Sequence, residues 1–338
     1  MAGLELRHPG ARHRLLVPGL VALLLVTAVL SLAIGPVALS PARVIHAFTG
    51  SGDGIAHAIV IDLRLPRMLV GVLVGAMLGL SGAVLQGYLR NPLAEPSVLG
   101  ASNAAALGAV VALYFGLAEL HTAVLPILAI VTGFAALALL FALAGRAESP
   151  LTLILAGIAV STLAGAGISL ALNLSPNPFA AMEIMTWLLG SIENRTIAHV
   201  WIVLPCVVVG AGLLAGSGHA LDALSLGEDG AKSMGFDLGR MRLRILIGVA
   251  IGVGGAVAVS GAIGFVGLIV PHLIRPFTDR SPSATLLPSM IAGSVLLTLA
   301  DVTVRLIPTQ NELKLGVVTA FLGVPVFLVH LMRERRVW

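Results

Sequence analysis

The chain alternates between long stretches without any charged side chain and short segments that carry charge. Most of the uncharged stretches reach the roughly 20 residues that an α-helix needs to cross the hydrocarbon core of a bilayer. Their hydrophobic residues are continuous rather than alternating, which favours helices over the strands of a membrane barrel. The nine stretches are 15–34, 68–88, 96–118, 122–145, 149–182, 196–221, 245–274, 281–300 and 315–332.

The stretch 245–274 is too long for one helix that crosses the membrane without tilting. Its 30 residues would form a helix of about 45 Å, against about 30 Å of hydrocarbon. A small, glycine-containing sequence at 260–264 provides a natural break in its middle. We therefore predict about ten transmembrane helices, of which the one after this break is short.

Composition places most of this chain in lipid. Of its 338 residues, 58% are hydrophobic and only 11% are charged, and the mean hydropathy is +1.03. A soluble domain carries about a quarter charged residues and could not bury so much apolar surface. We predict an all-α integral membrane protein in which residues 1–338 form a single transmembrane domain.

The basic residues indicate the orientation of the helices. Arginines precede the first stretch and follow the last, so the usual excess of positive charge in the cytoplasm predicts an even number of spans with both termini cytoplasmic. Ten spans place 14 of the 20 basic residues inside and 6 outside. This distribution explains the net charge of +4 without a nucleic-acid partner. The residues predicted outside are Arg43, Arg64, Arg67, Arg195, Arg305 and Lys314.

The longest polar insertion, at about 216–244, lies on the predicted cytoplasmic side. Within it, residues 221–235 are typical of a short amphipathic helix closed by a glycine. Ala231 and Met234 are three residues apart and would share one face with the upstream leucines. Because that apolar face has no membrane to enter, it suits a docking helix for a cytoplasmic partner. A solvated connecting loop is the alternative interpretation.

Arg64, Arg67 and Arg305 are predicted at the outer face, against the usual distribution of positive charge. Two interpretations remain open. Either the long side chains reach out to the membrane interface, or they form bidentate pairs with carboxylates of a docking protein. Asp301 lies four residues before Arg305 on the same helix face, which favours a local ion pair between them.

The sequence lacks the patterns of several kinds of chemistry. Neither lysine, Lys232 or Lys314, belongs to a phosphate-binding P-loop, so we expect no ATP site. The nine histidines are scattered without a metal-binding spacing, and the single cysteine, Cys206, cannot form an intramolecular disulfide. No nucleophile–base arrangement stands out. We expect no enzyme activity, metal or cofactor in this chain.

Several segments together resemble the FecCD family of ATP-binding-cassette (ABC) permeases, which includes permeases for ferric siderophores, heme and cobalamin. They occur in the expected order from about residue 60 to 330, and the ordered set is far more specific than any single string. The segments are RLPR at 64–67, GAVLQG at 82–87, RNPLAEP at 90–96, LG at 99–100, WLLGS at 187–191, LGE at 226–228, GAIGFVGLIVPH at 261–272, GVVTA at 316–320 and GVPVF at 323–327.

The resemblance implies a type II ABC importer permease fold in the bacterial cytoplasmic membrane. It also implies a homodimer, two separate ATPase subunits that bind ATP and Mg, and an extracytoplasmic substrate-binding protein. The stretch 221–235 resembles the helices that couple such a permease to its ATPase. The candidate coupling residues are Leu221, Leu224, Leu226, Gly227, Glu228, Ala231, Met234 and Gly235.

The same resemblance assigns roles at both faces of the membrane. Arg64, Arg67 and Arg305 match positions that grip acidic residues of the binding protein. Asn91 and Leu93, in the inner loop after the second span, resemble the cytoplasmic gate. The fifth span and the short segment that precedes the WLLGS string are expected to line the transport pathway.

The implied function is import of iron chelates, with a ferric siderophore as the first candidate cargo and heme or cobalamin as alternatives. A secondary transporter is the rival function. It needs ionisable residues near the middle of the membrane, and only Asp301 comes close. One position departs from the family, because many members have proline where this chain has Lys314. Since Lys314 is predicted outside, the departure affects the expected fit of the binding protein.

Overall fold

The computed structural model describes residues 10–49, 53–121, 123–144, 150–307 and 312–334, and within these ranges it contains helices and no strand. The terminal residues 1–9 and 335–338, which carry part of the charge predicted to be cytoplasmic, lie outside the described ranges. The α-helices are α1 (Gly10–Ala33), α2 (Pro41–Thr49), α3 (Gly54–His57), α4 (Leu65–Tyr88), α5 (Ala101–Tyr114), α6 (Val124–Ala144), α7 (Pro150–Asn173), α8 (Pro178–Leu188), α9 (Ile197–Ala215), α10 (Gly218–Leu224), α11 (Glu228–Ser233), α12 (Leu238–Ser260), α13 (Val266–Ile274), α14 (Pro282–Leu306) and α15 (Leu315–Glu334). A π-helical segment joins α3 to α4, and 3₁₀ turns occur at Pro96–Leu99, Leu117–Glu119 and Arg275–Phe277.

Within the described ranges, seven helical segments are long and apolar enough to span a membrane, and three shorter apolar helices accompany them. The long segments are Leu15–Ala33, Gly54–Tyr88, Val124–Leu143, Leu151–Asn173, Ile197–Ala215, Leu238–Ser260 and Pro282–Leu306. The shorter ones are Ala101–Tyr114, Val266–Phe277 and Leu315–Pro325. These helices correspond in order to the ten predicted spans, and the all-α membrane fold is confirmed.

The break predicted inside 245–274 is present. α12 ends at Ser260, Gly261 has a φ of +68°, and α13 begins at Val266. Glycine adopts a positive φ without the strain that other residues suffer, so it can end α12 abruptly. The short helix expected after the break is α13, which has 9 residues.

The fifth span is shorter than the uncharged stretch 149–182 that contains it. α7 ends at Asn173 and α8 begins at Pro178. The side-chain oxygen of Asn177 accepts a hydrogen bond from the Ala180 amide at 2.9 Å. Asparagine is a favoured N-cap and proline a favoured first helical residue, so this pair starts a new helix.

α4 forms the centre of the bundle, since it is almost entirely buried and packs most extensively against α14. Glycines let the two backbones touch. A Cβ on Gly75 would overlap the carbonyl of Gly293, and a Cβ on Gly79 would overlap that of Ser289. Small residues at such crossings allow transmembrane helices to approach closely. α1, in contrast, packs along α14 and leaves most of its side chains exposed, as a helix that faces lipid does.

Candidate functional site

The candidate coupling loop consists of two short helices, α10 and α11, rather than the single amphipathic helix predicted for 221–235. Gly227, before α11, and Gly235, after it, have φ values of +103° and +85°. Glycine therefore both separates the two helices and ends the second. The loop is also shorter than the predicted 216–244, because α12 already begins at Leu238.

The apolar side chains of the coupling loop divide into a buried and an exposed set. Leu221, Leu224 and Ala231 are buried, whereas Leu226 and Met234 are 73% and 58% exposed. The prediction that Ala231 and Met234 share one face is therefore wrong, since Met234 lies at the C-cap of α11 and reaches the surface. Leu226 and Met234 therefore each expose an apolar side chain on the loop.

Two polar contacts attach the coupling loop to the transmembrane helices. The Asp222 carboxylate accepts a hydrogen bond from the Ser283 amide at 2.9 Å, which satisfies a free amide in the first turn of α14. Glu228 forms an ion pair with Arg90 at 3.7 Å, just after the end of α4. Sequence reasoning included Glu228 but missed Asp222, because its partner lies 61 residues away in the chain.

The candidate gate residues lie in a tight loop after α4, called here the gate loop (89–95). The Asn91 side-chain oxygen accepts a hydrogen bond from the Leu93 amide at 2.9 Å, and Arg90 has a φ of +49°. Leu93 is 44% exposed. Because Arg90 pairs with Glu228, the structure brings the gate loop and the coupling loop together at one end of the bundle.

The candidate docking arginines lie around the opposite end of α4 and are bound by the chain itself. Arg67 donates hydrogen bonds to Asp301 at 2.7 and 2.8 Å and to Glu312 at 2.6 and 3.0 Å. Arg305 forms the expected ion pair with Asp301 at 2.7 Å. The Asp301 carboxylate thus lies between two guanidiniums and is 1% exposed.

Arg64 and Arg305 also cap the C-terminal end of α1. Arg64 donates to the carbonyl oxygens of Leu32 and Ala33 at 2.8 Å, and Arg305 donates to that of Ser31 at 2.9 Å. The last carbonyls of a helix have no amide partner within it, so these guanidiniums satisfy them. Arg64 is 5% exposed, and its side chain therefore does not extend freely towards the membrane interface.

These contacts define the guanidinium cluster, which consists of Arg64, Arg67, Arg305, Asp301 and Glu312. All members except Asp301 line a cavity of about 610 Å³. Three guanidiniums against two carboxylates leave the cluster a net charge of +1. Spacing alone indicated the Asp301–Arg305 pair, but it gave no signal for Glu312 or for the carbonyls of α1.

Lys314, the position that departs from the family pattern, pairs with Glu193 at 2.8 Å. The pair joins the segment before α15 to the connection between α8 and α9, beside a second cavity of about 540 Å³ that Trp187 also lines. Arg195 lies in the same connection. Burial lowers the pKa of its guanidinium, and the neighbouring Glu193 carboxylate opposes that shift.

Comparison with known proteins places this architecture among the transporters. The model of the FecCD transport family matches residues 23–333. This chain belongs to the FecCD transport family. The FecCD permease is 39% identical over 295 residues to a Bacillus subtilis protein named Uncharacterized ABC transporter permease protein YvrB, and the match covers 85% of this chain and 82% of the relative.

Relatives of this FecCD permease also include proteins named Vitamin B12 import system permease protein BtuC. The Vibrio vulnificus protein is 37% identical over 330 residues, which cover 97% of this chain and 96% of the relative. The Vibrio cholerae protein is 38% identical over 318 residues, which cover 93% of each. A solved inward-facing structure of a transporter assigned to the metal-chelate ABC type matches with a TM-score of 0.86 at 32% identity, covering 95% of this chain and 99% of that one. The chain is thus an ABC importer permease of the FecCD type, as the resemblance predicted.

Proposed function

We propose that this FecCD permease imports a metal chelate of the cobalamin class across the bacterial cytoplasmic membrane. A separate ATPase subunit supplies the site for ATP and Mg. The observation that carries this cargo is the 37% identity, over 97% of the chain, to a permease of a vitamin B12 import system. The TM-score of 0.86 against a transporter of the metal-chelate type supports the broader class and leaves ferric siderophores and heme as alternative cargoes.

Uptake by cells that lack this chain tests the cargo. Labelled cobalamin, a ferric siderophore and heme are supplied separately to cells with and without the chain, and to cells whose partner ATPase is inactivated. We expect a loss of cobalamin uptake that the chain restores only when the ATPase is active. Loss of siderophore or heme uptake instead would show that cobalamin is the wrong cargo and identify the right one. Uptake that persists without the ATPase would favour an ion-coupled secondary transporter.

In the proposed complex, two copies of the chain form the transmembrane dimer, and an ATPase subunit binds the coupling loop of each copy. Leu226 and Met234 support this assignment, because they expose apolar surface on a loop whose neighbouring leucines are buried. The Glu228–Arg90 pair at 3.7 Å links the coupling loop to the gate loop. When ATP closes the ATPase dimer, the coupling loops move, and the permease changes between its outward-open and inward-open states.

The proposed orientation places both termini and the coupling loop in the cytoplasm. Cysteines introduced into a Cys206→Ala background test it. A thiol reagent that cannot cross the membrane should label Leu226→Cys in inverted vesicles but not in sealed spheroplasts. Lys314→Cys, at the opposite end, should show the reverse pattern. Labelling of both from the same side would contradict the orientation.

The guanidinium cluster is the proposed contact for an extracytoplasmic substrate-binding protein. Its net charge of +1 and its cavity of about 610 Å³ suit an entering carboxylate. Because Arg64 and Arg67 also bind groups of this chain, replacing both with glutamate would disturb the permease as well as the docking. Glu312→Gln is a cleaner test, since it raises the net charge of the cluster while all three arginines remain.

The docking assignment is tested by measuring the affinity of each permease variant for the purified binding protein at low and at high salt. We expect Glu312→Gln to bind the partner more tightly than the unmodified permease at low salt, and the difference to shrink at high salt. Asp53→Asn, which neutralises an exposed carboxylate outside the cluster, is the matched control. Equal affinity of all three proteins at every salt concentration would contradict the docking assignment.

A further inference from the structure

A buried side-chain amide near the end of α4 belongs to neither of the proposed partner surfaces. Gln86 lies two residues before the last residue of α4, and it is 2% exposed. A buried amide that lacks hydrogen-bond partners is costly, so the groups that it contacts indicate why the helix carries it.

The amide nitrogen of Gln86 binds α13. It lies 3.1 Å from the carbonyl oxygen of Leu268 and 3.4 Å from that of Gly267. Pro271, inside α13, has no amide hydrogen, so the Gly267 carbonyl four residues earlier loses the helical hydrogen bond that it would otherwise accept. The Gln86 side chain donates its shorter hydrogen bond to Leu268 and a longer one to this Gly267 carbonyl.

Close packing makes this contact possible. A Cβ on Gly82, one helical turn before Gln86, would overlap the Gly267 carbonyl, so the backbones of α4 and α13 touch at their crossing. The amide oxygen of Gln86 accepts a hydrogen bond from the Arg275 guanidinium at 3.1 Å, directly after α13. Both polar atoms of one side chain are therefore bound to the same short segment.

The backbone of Gln86 binds the gate loop. Its carbonyl oxygen accepts a hydrogen bond from the Asn91 amide at 3.2 Å, and the Asn91 side chain accepts one from the Leu93 amide at 2.9 Å. One residue thus connects α13, through its side chain, to Asn91, through its backbone carbonyl, and Asn91 in turn binds Leu93.

We infer that Gln86 is a positioning residue that couples α13 to the gate loop, so that the two move together when the permease changes state. The inference rests on the proposed function for the role of the gate loop. α13 is suited to such movement, because it is short and lies between the non-helical connection at 261–265 and a 3₁₀ turn. It can shift without bending a long transmembrane helix.

Cysteine labelling in the assembled transporter tests the coupling. Leu93→Cys in a Cys206→Ala background is reconstituted with its ATPase partner in proteoliposomes, and its reaction rate with a membrane-impermeant maleimide is measured with and without ATP and vanadate. We expect a severalfold difference between the two rates. Adding Gln86→Met, which keeps a long side chain but removes its hydrogen bonds, should abolish that difference.

Two further variants make the result specific. Gln86→Glu keeps an acceptor for Arg275 but removes the donor to α13, and it should also abolish the difference. Ser81→Ala is the matched control, because Ser81 is buried on the same helix and its hydroxyl bonds the Met77 carbonyl of that helix at 2.6 Å. The control should keep the nucleotide dependence, and thermal unfolding should show that all variants remain folded.

The outcomes separate this inference from the proposed function. If Gln86→Met and Gln86→Glu both keep the nucleotide dependence, the coupling role of Gln86 is wrong while the gate assignment stands. If the unmodified permease shows no nucleotide dependence at Leu93→Cys, the gate assignment fails, and the inference that rests on it fails too. If Gln86→Met does not assemble, Gln86→Glu still decides the matter.

Discussion

Replacing Asp301 with asparagine should destabilise this permease strongly. The Asp301 carboxylate is 1% exposed and lies 2.7 Å from guanidinium nitrogens of both Arg67 and Arg305. The substitution keeps the shape of the side chain but removes its charge. Arg67 then still pairs with Glu312, whereas Arg305 retains only neutral acceptors, which are oxygens of Ser31 and Ile34 and the backbone carbonyl of residue 301. The buried Arg305 guanidinium is left without a carboxylate in direct contact.

Removing one partner of a buried ion pair costs about 3–5 kcal/mol. The Arg305 side chain is 2% exposed, so solvent screens little of this loss. A large chain loses about 2 °C of Tm for each kcal/mol, which gives an expected decrease of about 6–10 °C.

Thermal unfolding of the permease in detergent, followed by loss of the monodisperse peak in size-exclusion chromatography, measures this decrease at a fixed heating time. Arg43→Gln is the control, because it removes a largely exposed ion pair with Asp53 at 3.8 Å. An exposed pair contributes about 0–1 kcal/mol, so its Tm should change by less than about 2 °C. A decrease for Asp301→Asn no larger than that of the control would refute the stabilising role of the buried network.

Three other contacts lead to predictions of different kinds. Gly82→Ala should sharply lower the yield of folded protein, because the new Cβ overlaps the Gly267 carbonyl. Overpacking destabilises a fold by about 1–3 kcal/mol even where side chains can adjust. The control Gly19→Ala, with no atom near the added Cβ, should leave the yield unchanged. Met234→Asp should reduce co-purification of the ATPase and coupled hydrolysis without lowering the Tm, since Met234 is 58% exposed, and unaltered coupling would count against the docking surface. Lys314→Glu should lower the Tm only slightly, because the partly exposed pair of Lys314 with Glu193 contributes about 0–1 kcal/mol. Adding Glu193→Lys should restore the original Tm. A large decrease in Tm that this exchange fails to reverse would contradict the interpretation of the two residues as a weak ion pair.

The number and nature of the membrane-spanning helices could be predicted from the sequence because they depend on local properties. Hydropathy alone identifies segments that cross a bilayer. The end of α12 depends on Gly261, whose positive φ of +68° is a property of glycine itself. The start of α8 was missed although its signal is equally local, since Asn177 and Pro178 form a favoured N-cap and first residue. Hydropathy does not indicate this boundary, because it lies inside a stretch without charged residues.

The candidate sites were harder to predict, because their partners are distant in sequence. The Asp301–Arg305 pair follows from a spacing of four residues, but Arg67 and Asp301 are 234 residues apart. The same limit applies to the coupling loop. Leu221 is buried because α10 packs on α4 and α14, whereas Leu226 lies beyond the end of α10 and is exposed. The sequence of a seven-residue helix does not indicate which side chains such packing will bury.

The arginine caps of α1 have a consequence for the order in which the molecule is completed during synthesis. The carbonyls at the end of α1 that Arg64 binds precede it by 31 and 32 residues, but those that Arg305 binds at and just after this end precede it by 271 and 274. A ribosome adds about 5–20 residues per second, so Arg305 is made roughly 15–55 s after the end of α1. During that interval, of these two caps only Arg64 is available to keep α1 beside the growing bundle. The hydrogen bonds from Arg305 to the end of α1 form only when α14, the ninth of the ten spans, has entered the membrane.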